Sequence, residues 1–89
     1  MISDEDKYRI IELAKKYGVS KVYLFGSNLS QGKFSKDIDI AVEGISEAVF
    51  FKFYSDLIFS LSKPVDLINL KKKSLFNNNI KAEGLLLYG

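Results

Sequence analysis

The seven residues Asp37-Ile38-Asp39-Ile40-Ala41-Val42-Glu43 constrain this chain more than any other feature. Successive side chains of a strand point to opposite faces, so Ile38, Ile40 and Val42 face one way. Asp37, Asp39, Ala41 and Glu43 face the other. Such a strand has an apolar face to bury, and Gly44 stops it. Three further runs read as strands. Lys21-Val22-Tyr23-Leu24-Phe25 is β-branched and aromatic and is ended by Gly26-Ser27. Val65-Asp66-Leu67-Ile68-Asn69-Leu70 follows Pro64, and Gly84-Leu85-Leu86-Leu87-Tyr88 closes the series.

Helices fill the gaps. Ser3 can cap a first helix, with Asp6 three residues on as the acidic half of a capping box. Ile10, Leu13, Ala14 and Tyr17 then recur at helical spacing, and Gly18 suits its C-terminal end. Ser46 can cap a second helix running to about Ser62. Phe50, Phe53, Tyr54, Leu57, Ile58 and Leu61 form its apolar stripe, while Phe51 and Phe59 fall off it and offer a partner or dimer surface. Residues 28 to 36 read as a short helical turn and loop, residues 74 to 82 as a short helix, and Lys71 to Lys73 as a solvated turn. The expected fold class is α/β (α+β): a small mixed sheet of about four strands with helices packed on it. The 89 residues make one domain, 1–89.

The chain has no Cys, and no His. Disulfides, thiol nucleophiles, Cys/His zinc sites and Ser-His-Asp arrangements are thereby excluded. Catalysis must come from carboxylates, hydroxyls, Lys, backbone amides or a hard metal ion. The net charge of +2 gives too little basic surface for direct nucleic-acid binding. The greasiest segment, Ala48 to Leu61, is interrupted by Lys52 and Asp56, well short of the roughly 20 apolar residues that span a bilayer. With its acidic start, Ser3-Asp4-Glu5-Asp6, the sequence reads as cytoplasmic.

Asp37 and Asp39 share a face about 7 Å apart at Cα. Carboxylates about 5 Å apart repel by about 3 kcal/mol at an effective dielectric of 20, and by under about 1 kcal/mol in water. On an open surface the pair is cheap, but in a cleft a cation must offset it. Asp66 is second in the next strand, among Val, Leu and Ile, where a lone charge is costly. If that strand lies beside the first, three carboxylates converge. Such an oxygen-only set suits Mg²⁺, which binds carboxylates together with substrate phosphates. Gly26-Ser27, ending a strand, lets backbone approach phosphate oxygens closely, and the serine hydroxyl adds a donor. A phosphate cradle facing a carboxylate pair is machinery for phosphoryl or nucleotidyl transfer.

Gly26-Ser27, nine residues, then Asp37-Ile38-Asp39 resembles the glycine-serine and Asp-x-Asp signature of the polymerase-β-like nucleotidyltransferases. Asp66, in Pro64-Val65-Asp66-Leu67-Ile68, resembles their third carboxylate. Ile80-Lys81-Ala82-Glu83-Gly84-Leu85-Leu86-Leu87-Tyr88 is similar to the tail of the minimal, single-domain members. The resemblance implies Mg²⁺-dependent transfer of a nucleoside monophosphate, AMP from ATP, to a hydroxyl of a protein or other acceptor. It implies that Asp37 and Asp39 hold the metal and that Asp66 completes the site or deprotonates the acceptor. Gly26 and Ser27 are then the nucleotide-binding residues. It further implies a helical HEPN-domain partner, the minimal nucleotidyltransferase (MNT) being the antitoxin of a toxin–antitoxin module. Two departures stand out. The loop Asn28-Leu29-Ser30-Gln31-Gly32 lacks the Arg that often follows Gly-Ser in the family, leaving Lys33 or Lys36 as substitutes. The gap to the first Asp is also one residue shorter than the commonest spacing. They motivate the alternative: a catalytically decayed, antitoxin-like binding module that inhibits a partner by docking.

Overall fold

The structure, a computed structural model, describes residues 2–26 and 36–89. In chain order its elements are α1 (Asp4–Lys16), β1 (Lys21–Leu24), β2 (Ile38–Glu43), α2 (Glu47–Ser60), β3 (Val65–Asn69), α3 (Leu75–Glu83) and β4 (Leu85–Tyr88). The strands lie in the order β3-β2-β1-β4. β1 runs antiparallel to both β2 and β4, whereas β2 and β3 are parallel, as α2 carries the chain back across the sheet between them. This is the mixed four-stranded α+β sheet expected from the sequence. The turn read into residues 28 to 36 lies almost wholly outside the described residues.

Ser3 caps α1 by accepting from the Asp6 amide at 3.1 Å. The Asp6 side chain does not close a capping box, however. It is buried, and its carboxylate accepts from the Ser62 amide at 3.0 Å and the Ser62 hydroxyl at 2.5 Å. The start of α1 is thus tied to the end of α2. Arg9 reinforces the same seam by donating to Glu5 at 2.6 Å and to the Ser60 carbonyl.

The apolar face of β2 lies where the alternation puts it. Ile38, Ile40 and Val42 pack with Val22, Leu24 and Val65 beneath Ile10 and Ala14 of α1 and Phe53 and Leu57 of α2. The stripe of α2 is narrower than expected. Phe53, Leu57 and Leu61 are buried, but Ile58 is 51% exposed, because it stands about 100° beyond Leu57 on the outward side. Phe51 and Phe59 are exposed, as anticipated. On the opposite face of the sheet, Ala41, Leu70 and Ile80 form a second, smaller core with Tyr23, Phe25 and Ile68. So α1 and α2 cover one face, and α3 covers part of the other. No helix among the described residues is long and apolar enough to cross a membrane.

Candidate active site

Asp39 and Asp66 share the sheet face of Ala41 and Ile68, the face on which α3 packs. In the parallel ladder, Asp39 of β2 stands directly opposite Asp66 of β3. Paired residues share a face, and neighbouring strands run about 4.8 Å apart, so the two carboxylates are set side by side. Asp37 is two residues before Asp39, just ahead of β2.

Their environments differ. Asp39 is half-buried, while Asp37 and Asp66 are exposed. Partial loss of water raises the pKa of the Asp39 carboxyl, and the charges of Asp66 and then Asp37 raise it further. The burial cost that the sequence assigned to Asp66 therefore falls on Asp39 instead. β3 is an edge strand, and only its neighbours Val65 and Leu67 turn into the core. Among the described residues no three acidic side chains form a ready-made metal cage. What the strands bring together is the Asp39–Asp66 pair, with Asp37 near enough to repel Asp39.

Gly26 reaches the same place from β1. The Phe25 amide donates to the Asp39 carbonyl at 3.0 Å, carrying the ladder past the end of β1. Gly26 then turns with φ of +70°, and a Cβ there would stand 2.7 Å from Asp39 Oδ2. A side chain here would be strained by that backbone conformation and would push the Asp39 carboxylate aside. Ser27 lies outside the described residues, as does Lys33. Lys36 is exposed, one residue ahead of Asp37. Arg9, the only arginine of the sequence, is engaged at the α1–α2 seam on the other side of the sheet.

Beside Gly26 opens a pocket of about 380 Å³ lined by Phe25, Gly26, Phe76, Asn79, Ile80, Glu83 and Gly84. Sequence reasoning missed it. The signal was present as Phe76, Asn79, Ile80 and Glu83 at i, i+3, i+4 and i+7 on one stripe of α3, but the Asn77-Asn78-Asn79 run carried no readable pattern. Asn77 is in fact structural: it is buried and donates to the Lys72 carbonyl at 2.7 Å.

A mixed four-stranded sheet that gathers a glycine turn and two facing aspartates is compatible with a nucleotidyltransferase fold. The chain belongs to the polymerase beta nucleotidyltransferase family, whose pattern it matches over residues 8–89. No curated protein matches the sequence. Among solved structures, a toxin–antitoxin complex with AMP-PNP aligns with a TM-score of 0.75 at 27% identity, covering 93% of this chain and 73% of that one. A mutant of the toxin–antitoxin pair MntA–HpeT aligns with a TM-score of 0.73 at 30% identity, covering 93% and 72%. The tri-AMPylated HEPN toxin of Shewanella oneidensis in complex with its MNT antitoxin gives 0.71 at 27%, covering 94% and 70%. The domain therefore resembles MNT antitoxins of HEPN toxins.

Proposed function

We propose that this chain is an Mg²⁺-dependent nucleotidyltransferase that moves AMP from ATP onto a hydroxyl of a protein acceptor, a HEPN-domain partner. The observation that carries this reading is the Asp39–Asp66 pair across the parallel ladder, with the Gly26 backbone against Asp39.

The donors fit a hard divalent ion. All are carboxylate oxygens, and burial and like charge raise the pKa of one of them, a situation that a nearby cation relieves. Asp37 and Asp39 would hold the ion, and Asp66 would complete the set or receive the acceptor's proton. When bound, Mg²⁺ supplies positive charge against the phosphate oxygens. Gly26 and Ser27 would face the triphosphate with backbone amides and a hydroxyl. The acceptor oxygen forms a bond to the α-phosphorus as the bond from that phosphorus to the pyrophosphate oxygen breaks. The hydroxyl proton passes to Asp66, and pyrophosphate leaves. Asp66 suits that role because it is exposed, so a hydroxyl of another molecule can reach it. The acceptor class is supported by the AMPylated toxin of the Shewanella complex.

The test is to mix the chain with a HEPN-domain partner, ATP and Mg²⁺ and to weigh the partner. A gain of one or more AMP groups, lost with Asp39→Asn, is the expected result. An unchanged mass at every enzyme concentration contradicts it.

A second reading, a docking module without chemistry, is favoured by two observations. Phe51 and Phe59 are 75% and 87% exposed on the outer side of α2, and the only arginine is engaged away from the acids. A stable complex with unchanged partner mass, indifferent to Asp37→Asn, selects that reading.

A further inference from the structure

We propose that the pocket between the end of β1 and α3 seats the nucleobase of the nucleotide. Asn79 and Glu83 there select a base with an exocyclic amino group, adenine over hypoxanthine or uracil. This inference rests on the nucleotidyltransferase reading above and deepens it.

Three observations carry it. The pocket adjoins the acidic site, because Gly26 both lines it and lies against Asp39 Oδ2. A nucleotide whose phosphates face the carboxylates would therefore meet this pocket with its other end. At about 380 Å³ the pocket lies at the small end of the range of roughly 300–1,000 Å³ that small-molecule sites occupy. Its closeness to β1 is fixed by Gly84, where a Cβ would meet the Ile80 carbonyl oxygen at 2.5 Å and the Leu24 carbonyl oxygen at 3.2 Å.

The lining supplies the remaining argument. Phe25 and Phe76 meet edge to face with ring centroids 6.2 Å apart, and Phe76 is 56% exposed, so open ring surface remains for a base to stack on. The other polar side chains are an amide and a carboxylate, Asn79 and Glu83. An amide can pair with the adjacent donor and acceptor of adenine, and a carboxylate facing the exocyclic position accepts from an amino group but not from a carbonyl oxygen. Hypoxanthine and uracil turn a carbonyl oxygen toward the same carboxylate, which repels it.

Calorimetry with the Mg²⁺ salts of ATP, ITP, UTP and inorganic tripolyphosphate tests this on the full chain. ATP is expected to bind roughly tenfold more tightly than ITP or UTP. Phe76→Ala lowers the ratio of ATP to tripolyphosphate affinity about tenfold, and Phe76→Leu lowers it less. Glu83→Gln, whose amide can donate to a carbonyl, brings the ATP to ITP ratio toward one. Equal binding of all three nucleotides, or an unchanged ATP to ITP ratio in Glu83→Gln, overturns the pocket assignment. Tripolyphosphate binding that depends on Asp39 would then still support the site reading. Failure of every ligand, tripolyphosphate included, overturns both.

Discussion

Between β1 and β3, the Asp39 carboxylate loses part of its hydration while facing two like charges, and each effect raises its pKa above the ordinary 3.8. The folded state thus holds this proton more tightly than the unfolded chain does. Stability from Asp39 is greatest at low pH and declines as pH rises from about 4 through the raised folded value. Asp39→Asn removes that charge, so without ligand its melting temperature should exceed that of the parent at pH 7. The gain should be about 1 kcal/mol or less, or a few degrees for a domain of this size. Thermal melts from pH 4 to 8 check the sign, since the mutant curve should be flatter and the two should converge in acid. Gly26→Ala should act oppositely. A side chain there meets the left-handed backbone penalty of about 1–2 kcal/mol and presses on Oδ2 of Asp39. Denaturant melts should show that loss, together with weaker nucleotide binding.

The helices and strands were largely legible because their signals are local. Ser3 and Ser46 cap the helices that their spacing announced, and Pro64 precedes β3 as read. What the sequence could not supply was tertiary. Asp6 looked like a capping-box acid, yet its partner is Ser62, fifty-six residues away. No one-dimensional pattern reports that the end of α2 lies beside the start of α1. Asp6→Ala should therefore cost about 1–3 kcal/mol, more than a surface acid would, because the Ser62 amide loses its partner. The pairing of β2 with β3 was likewise only conditional in the sequence, although one residue of slip would have turned Asp66 to the other face. Leu57→Ala, on the buried face of the crossover helix α2, should cost about 2–5 kcal/mol in chemical denaturation.

For the molecule as a whole, the acidic site and the exposed phenylalanines of α2 lie on opposite sides of the sheet. Chemistry and docking are therefore separable. Phe59→Ser should leave stability within about 0.5 kcal/mol and spare ATP binding, and under the docking reading it should weaken the complex with a HEPN partner in a pull-down titration. The central claim is that Asp37 and Asp39 hold one divalent ion, with Asp66 across the ladder beside them. Its most direct test is an Mg²⁺ titration followed by thermal shift in the presence of ATP, comparing the parent chain with Asp37→Asn and Asp39→Asn. The parent should gain stability with rising Mg²⁺, and each mutant should lose most of that gain while remaining folded. An Mg²⁺-dependent shift of equal size in all three proteins, or none in the parent, would contradict the account.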